Sequence, residues 1–152
     1  MTEKVLFGAG CFWGVEEYFR NIKGIIKTEV GYSGGFTKNP TYESVCANNT
    51  NHAEVLYIEF DNNLISFNFL LDHFWKCHNP TTLNRQGLNI GNQYRSVIFY
   101  LSEFQKREAL KSKIENQNKF EKKIVTEITK AETFYRAEEY HQKYINKKKY
   151  CE

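Results

Sequence analysis

The stretch KVLFGAGCFWGVEEYFRNI, residues 4–22, joins a short apolar run to a longer segment with apolar residues at helical spacing. KVLFGAG is typical of a buried strand that ends in glycines, and CFWGVEEYFRNI is typical of an amphipathic helix. The pattern predicts a strand followed at once by a helix whose first turn carries Cys11, Phe12 and Trp13. Starting a helix does not require a thiol beside two large aromatic rings, so this turn is a candidate functional site.

The rest of the chain alternates strand and helix patterns. Further strands are predicted over 24–33, 53–61, 94–101 and 123–129. Further helices are predicted over 65–77, 102–119 and 136–148. Residues 79–93 show neither period, and loops of that length are usually functional.

This order of elements, β-α-β-β-α-β and then α-β, is that of a ferredoxin-like sandwich with an extension. We therefore expect an α/β (α+β) two-layer sandwich that forms one domain over residues 1–152. Its C-terminal residues 145–152 are rich in lysine and are expected to form a mobile tail.

Composition narrows the class of protein. The sequence has 152 residues and no apolar run near the roughly 20 residues that a membrane helix needs. Its N-terminus lacks the pattern of a signal peptide, and a net charge of +3 is too small to indicate nucleic acid or a membrane surface. Four cysteines without an export signal favour a reducing, cytoplasmic setting, and nothing demands more than a monomer.

A dinucleotide-binding loop is one alternative for the glycines of the opening stretch. Gly8, Gly10 and Gly14 follow a strand and open a helix, as in that fingerprint. However, Phe12 and Trp13 would crowd the turn that a pyrophosphate must approach, and the later elements do not continue an alternating parallel pattern. The pattern therefore disfavours a nucleotide site.

Cys11 is the first candidate catalytic residue. A thiol at a helix N-terminus faces unpaired N–H groups and the positive end of the helix dipole, which stabilise a thiolate. Phe12 and Trp13 could wall a pocket for an apolar group or for one that gains positive charge. The alternatives are a small buried cysteine and ordinary core aromatics, and the local pattern does not decide between them.

Polar candidates lie elsewhere in the chain. Glu54 heads an apolar strand, where burial would raise its pKa and let it donate a proton. Tyr42 ends a long turn rich in glycine, asparagine and proline (34–42), and Tyr94 follows the loop 79–93. Either tyrosine could supply a phenolic hydrogen-bond donor. The alternatives are that Glu54 is an ordinary solvent-exposed acid at the end of a strand and that the two tyrosines are structural.

The histidines suggest a second and weaker candidate site. His73 and Cys77 lie four residues apart on a predicted helix, with His78 adjacent, which could begin a metal site. No C-x-x-C pair and no evident fourth ligand accompany them, so we expect no metal. A Cys–His hydrolase pair is also possible, but no pattern selects a partner for Cys11.

Five segments together resemble the A-type peptide methionine sulfoxide reductases. They are GCFWG at 10–14, GYSGG and NPTYESVC within 31–46, HAEV at 52–55, HNPTTLNRQG and GNQYRS within 78–96, and AEEYHQKY at 137–144. Their order and spacing match that family across nearly the whole chain. The resemblance implies reduction of the S epimer of methionine sulfoxide, free or in proteins, to methionine without a metal or nucleotide cofactor.

The resemblance also implies roles for the residues already singled out. Cys11 would be the nucleophile and Glu54 the acid, with Tyr42 and Tyr94 as helpers. Phe12 and Trp13 would hold the methyl group of the substrate.

Recycling of the thiol rests on the same resemblance. The sulfenic acid on Cys11 would be resolved by Cys151, with Cys46 as second choice, and thioredoxin would reduce the disulfide. Cys77 would be structural.

One departure from the family concerns substrate binding. Asn89 stands where relatives usually have an aspartate, so it can keep a hydrogen bond but cannot raise the pKa of Glu54 by repulsion. A non-catalytic module that binds methionine-containing peptides is therefore the alternative function. Asn79 also stands at a common aspartate position, without a functional consequence that we can derive.

Overall fold

The structure is a computed structural model that describes residues 1–47 and 49–151, with side chains as far as Lys148. Its strands are β1 (Thr2–Ala9), β2 (Ile25–Ser33), β3 (Ala53–Asp61), β4 (Arg85–Gln86), β5 (Asn89–Ile90), β6 (Ser96–Tyr100), β7 (Glu127–Lys130) and β8 (Tyr135–Arg136). Its α-helices are α1 (Phe12–Phe19), α2 (Tyr42–Cys46), α3 (Phe67–Lys76), α4 (Glu103–Asn116) and α5 (Tyr144–Cys151).

The central sheet has the strand order β7-β6-β1-β3-β2-β8. Strand β1 pairs antiparallel with β3 and β6, and β2 pairs antiparallel with β3. The inner order β6-β1-β3-β2 is that of a ferredoxin-like core, so the predicted fold class is confirmed. The mainly antiparallel sheet also argues against the dinucleotide-binding alternative, which needs parallel strands.

The long helices cover one face of this sheet. Alternate residues of the inner strands point towards α1, α3 and α4, and Phe7 packs on Phe74 with ring centroids 4.8 Å apart. A smaller apolar cluster on the opposite face includes Leu6, Val55 and Phe99. Both faces of β3 are therefore buried, as its sequence of apolar residues on both sides predicts.

The helices α3 and α4 start within two residues of their predicted starts, because their caps are local. Ser66 accepts a hydrogen bond from the N–H of Phe69 at the start of α3, and Ser102 accepts one from the N–H of Gln105 at the start of α4. Side-chain oxygens of this kind satisfy the unpaired N–H groups of a first helical turn.

Several short elements differ from the prediction. Strand β7 begins four residues later than expected, at Glu127, and the helix expected over 136–148 is a 3₁₀ turn at Glu139–His141 followed by α5. The loop 79–93 contains the hairpin of β4 and β5. Gly87, with φ of 59°, stands at the first central position of its two-residue turn, where positive φ is needed.

No helix in the described ranges 1–47 and 49–151 is long and apolar enough to cross a membrane.

Candidate active site

Cys11 caps the N-terminus of α1, where the chain leaves β1. Gly10 makes the turn with φ of 96°, a conformation that other residues rarely adopt, and the N–H of Val15 donates to the carbonyl of Cys11 at 3.3 Å. The half-buried thiol lies near the backbone N–H groups of Trp13 and Gly14, and both of them lower its pKa. The predicted position at a helix N-terminus is therefore the observed one.

The pKa of the Cys11 thiol, however, is raised from its ordinary value. Burial is the largest cause, and the negative charge of Glu54 adds to it. The two backbone N–H groups act in the opposite direction but do not outweigh burial. The helix end lowers the pKa of Cys11 as expected, but desolvation and a carboxylate 43 positions along the chain outweigh that effect.

Glu54, the second residue of β3, provides a buried carboxyl group. Its side chain is 1% exposed, and its Oε1 accepts the backbone N–H of Phe12 at 3.1 Å. Its Oε2 has no hydrogen-bond partner among the described residues. Burial raises the pKa of Glu54 to about 7, against a smaller opposing effect of the Phe12 bond. The raised pKa matches the prediction and leaves one oxygen able to carry a proton.

Cys11 and Glu54 form a coupled pair. The charge on Glu54 raises the pKa of Cys11, so protonation of the carboxyl removes one obstacle to the thiolate. A state with neutral Glu54 and a Cys11 thiolate holds the same number of protons as the reverse state. The pair can therefore supply an acid and a nucleophile together without taking up a proton from solvent.

Tyr42 and Tyr94 lie at this site as neutral phenols. Tyr42 opens α2, and burial together with a hydrogen bond to the Cys46 side chain raises its phenol pKa. Burial, followed by the charge of Glu54, raises the pKa of Tyr94 to about 12. Both hydroxyls therefore remain available as hydrogen-bond donors near the carboxyl group.

Tyr32 and Glu138 belong to the site but were not predicted individually. Tyr32 lies opposite Glu54 in the β2–β3 register and packs on Phe12 with ring centroids 5.7 Å apart. Its hydroxyl donates to Glu138 Oε1 at 2.8 Å, and Glu138 Oε2 accepts the N–H of Tyr42 at 3.0 Å. The only sequence signal was that both residues lie inside segments quoted for the family resemblance.

Phe12 and Trp13 form an aromatic wall beside Cys11. Phe12 is buried at 1% exposure, whereas Trp13 is half-buried. The indole stacks on Tyr144 with centroids 4.0 Å apart, and lies nearly parallel to Tyr42 at 6.5 Å. Its Nε1 donates to His141 Nδ1 at 2.9 Å. The structure thus brings both predicted aromatic residues to the site.

The other cysteines differ in their surroundings. Cys46 ends α2 and is close enough to Glu54 for that charge to raise its thiol pKa, after the larger effect of burial. Cys77 caps the C-terminus of α3, where burial raises its pKa to about 12. Cys151 is the last residue of α5, and its side chain lies outside the described part of the chain.

Asn89 lies on the exposed hairpin in front of the site. It pairs with Gln86, whose Cγ lies 2.8 Å from where a Cβ on Gly10 would be. The hairpin therefore rests against the turn that precedes Cys11, and the lack of a side chain at Gly10 permits this approach. Asn89 itself is exposed.

The histidines weighed as metal ligands have other partners. His73 Nδ1 lies 2.8 Å from the hydroxyl of Tyr18, and His78 Nε2 lies 2.7 Å from Ser96 Oγ. Among residues 1–47 and 49–148, no three histidine, cysteine or acidic side chains are grouped so that they could hold a metal ion.

A protein-family model and individual known proteins match this chain in sequence. The family model described as peptide methionine sulfoxide reductase matches residues 3–152. The chain is 55% identical over 147 residues to "Peptide methionine sulfoxide reductase MsrA" of Methanothermobacter thermautotrophicus, which covers 95% of this chain and 87% of that protein.

Solved structures give the same result. Reduced Mxr1 from Saccharomyces cerevisiae superimposes with a TM-score of 0.93 at 38% identity, over 96% of this chain and 85% of that one. Mxr1 in complex with Trx2 superimposes with a TM-score of 0.69 at 30% identity, over 94% of this chain and 84% of that one.

Proposed function

Because the chain belongs to the peptide methionine sulfoxide reductase family, we propose that it is the A-type enzyme, which reduces the S epimer of methionine sulfoxide in proteins and as the free amino acid. The observation that carries this function is the pairing of Cys11 with Glu54. The carboxyl has a pKa of about 7 and an Oε2 without a partner among the described residues, beside a thiol at a helix N-terminus.

The reaction follows from these two groups. A sulfoxide oxygen leaves only when it is protonated, and neutral Glu54 can donate from Oε2 while the Cys11 thiolate attacks the sulfoxide sulfur. The hydroxyl then moves from the sulfoxide sulfur to the Cys11 sulfur as the new sulfur–sulfur bond breaks, so methionine departs with two more electrons and Cys11 is left as a sulfenic acid. Glu54 recovers its proton from solvent.

Aromatic residues hold the substrate. Phe12 and Trp13 contact the terminal methyl group, and their ring faces tolerate the positive character that the sulfur gains. The hydroxyls of Tyr42 and Tyr94 donate to the sulfoxide oxygen alongside Glu54. Asn89 binds the substrate from the hairpin with its amide, without adding charge.

Recycling requires a second thiol. Cys151 attacks the sulfenic acid of Cys11, releasing water and forming a disulfide, and Cys46 is the second choice for this step. The proximity of Cys46 to Glu54 and to the Tyr42 hydroxyl supports its reach. Thioredoxin then reduces the disulfide, a role supported by the Mxr1–Trx2 complex. The enzyme acts as a cytoplasmic monomer and needs no bound cofactor.

A single-turnover experiment tests this function. Prereduced protein is mixed with the separate S and R epimers of N-acetyl methionine sulfoxide, and methionine formed and thiols lost are counted. We expect turnover of the S epimer alone, with two thiols lost per product. No product from either epimer would overturn the reductase and favour the peptide-binding module.

Matched variants identify the second thiol. Cys151→Ser and Cys46→Ser are compared for thiols lost per turnover and for cycling with thioredoxin. The resolving residue is the one whose substitution leaves one thiol lost and stops cycling. Wild-type cycling in Cys151→Ser would exclude Cys151.

A further inference from the structure

The β4–β5 hairpin is held in place by hydrogen bonds to the rest of the loop 79–93. Gln86 Oε1 accepts the N–H of Asn79 at 2.7 Å, and Gln86 Nε2 donates to the carbonyl of the same residue at 2.8 Å. The hydroxyl of Thr82 donates to the carbonyl of Arg85 at 2.8 Å. Polar groups therefore fix the position of the hairpin.

Three large aliphatic side chains of this loop are exposed to solvent. Leu88 is 97% exposed, Leu83 is 69% exposed and Ile90 is 68% exposed. Leu88 follows Gly87 at the second central position of the two-residue turn, where asparagine, aspartate or serine is the usual residue. Single exposed apolar residues are ordinary on protein surfaces, but residues 83–90 contain three. Because they bury little area, packing within the fold does not account for them.

The hairpin borders the site at Cys11. The Cγ of Gln86 lies 2.8 Å from the position that a Cβ on Gly10 would take, so the hairpin contacts the turn just before Cys11. Leu88 follows two residues later, which is no more than about 7 Å further along the chain. The next residue, Asn89, is the one that the proposed function assigns to substrate binding. The aliphatic side chains therefore lie beside a residue that contacts the substrate.

The same loop carries little charge. Residues 79–93 contain no aspartate or glutamate, and Arg85 is their only charged residue. Its Nη2 donates to the carbonyl of Gly87 at 2.9 Å, within the hairpin. Amide groups and aliphatic side chains together bind an extended polypeptide through backbone hydrogen bonds and apolar contacts. The surface therefore fits an uncharged segment of protein with aliphatic side chains.

Protein substrates of a methionine sulfoxide reductase have this character. Methionine is among the residues most often buried, and its oxidation disrupts the apolar packing around it. A protein chain whose sulfoxide reaches Cys11 must leave the pocket across its border, and the hairpin is part of that border.

We propose that Leu83, Leu88 and Ile90 bind aliphatic side chains that lie about two to four residues from the sulfoxide in the substrate. The enzyme then prefers oxidised methionine with aliphatic neighbours to the same residue with polar neighbours. The inference rests on the proposed reductase function, which brings the sulfoxide to Cys11.

Two matched peptides test this preference. Both carry the S epimer of methionine sulfoxide at their centre, and the flanking positions are leucine in one peptide and serine in the other. We expect kcat/KM of the wild type to be at least about fivefold higher for the leucine peptide, mainly through a lower KM. Combining Leu88→Ser with Ile90→Thr should raise KM for the leucine peptide about fivefold and bring the ratio close to one. Equal kcat/KM for both peptides in the wild type would overturn the proposal.

Ile114→Ser is the matched control. Ile114 is another exposed aliphatic residue, but it lies on α4, outside the loop 79–93. This variant should keep the wild-type ratio between the two peptides. An unchanged ratio in the hairpin variant, or an equal loss of the ratio in Ile114→Ser, would contradict a specific role of the hairpin.

Binding to Cys11→Ser separates this inference from the reductase function, because it requires no turnover. Fluorescence anisotropy with labelled forms of the two peptides should show tighter binding of the leucine peptide, and the hairpin substitutions should abolish the difference. If the wild type reduces neither peptide but this difference remains, the reductase is refuted and the preference of the hairpin stands. If both peptides bind equally and the hairpin substitutions instead abolish self-association in sedimentation experiments, the surface joins two copies of the chain and the proposal is overturned.

Discussion

Cys11 and Cys77 are thiols at opposite kinds of helix end. Cys11 caps the N-terminus of α1, where the backbone N–H groups of Trp13 and Gly14 lower its pKa, whereas Cys77 caps the C-terminus of α3 and donates to the carbonyl of Phe74 at 3.3 Å. Burial raises both pKa values, to about 12 at Cys77. The helix end, rather than burial, is therefore what distinguishes the proposed nucleophile Cys11 from Cys77.

The largest expected effect comes from serine at each position. Cys11→Ser should lower single-turnover reduction of the S epimer by more than about 10³-fold, because a hydroxyl in the same place is far less nucleophilic. Cys77→Ser should keep the rate within about twofold, since serine can still donate to the carbonyl of Phe74. Rapid-quench measurement of the methionine formed gives both rates. A large loss of rate in Cys77→Ser would remove the distinction between the two thiols.

Glu54→Gln should change rate and thiol reactivity in opposite directions. Loss of the proton donor should lower turnover about 10²-fold, while loss of the negative charge lowers the pKa of Cys11 and speeds its alkylation by iodoacetamide. The slow alkylation of Cys77 gives the internal reference. Slower alkylation of Cys11 in this variant would contradict the assigned charge effect.

Glu54→Gln should also change how the free energy of unfolding depends on pH. Because the folded state raises the pKa of Glu54 to about 7 from 4.5, its contribution is fully present below pH 4.5 and is lost as pH rises through about 7. Because Glu54→Gln has no group that titrates here, its free energy of unfolding should exceed that of the wild type by about 3 kcal/mol near pH 8, compared with below pH 4.5. Urea unfolding of both proteins, below pH 4.5 and near pH 8, measures the difference in their free energies of unfolding. The same dependence on pH in both proteins would rule the effect out.

The smallest expected effect concerns charge on the exposed hairpin. Asn89→Asp would add a carboxylate in front of the site, raising the pKa of Glu54 slightly and keeping it protonated to higher pH. Because Asn89 is exposed, screening limits the shift to about half a unit or less, with rates near pH 8 rising at most about threefold. The pH profile of kcat/KM is the measurement. An identical profile would show that a charge at position 89 on the hairpin does not change the pKa of Glu54.

The fold was accessible from sequence where signals are local. Strand β3 was predicted with the observed bounds, Ala53–Asp61, because its apolar run is bordered by polar residues. The starts of α3 and α4 were predicted to within two residues, because Ser66 and Ser102 cap these helices through their own side chains. The β4–β5 hairpin was missed because two-residue strands are too short to show a period, and β8 because it depends on pairing with a distant edge.

The site divides in the same way. Cys11 and Glu54 could be proposed as site residues because a strand–thiol–helix turn and an acid on an apolar strand are visible in short stretches of sequence. The raised pKa of Cys11 could not be predicted in this way, because it depends partly on a carboxylate from another strand. The bonds of Tyr32 to Glu138 and of Trp13 to His141 join residues 106 and 128 positions apart, which no local pattern records.

These long separations have a consequence for how the enzyme matures. Strands β1, β2 and β3 can pair as soon as about sixty residues have emerged, but the aromatic wall closes only when His141 and Tyr144 reach Trp13. Loop closure over such distances is slow compared with local pairing. A chain still being synthesised can therefore hold Cys11 and Glu54 in place before it has a finished pocket. The aromatic contacts around Trp13 are therefore completed after Cys11 and Glu54 have been brought together.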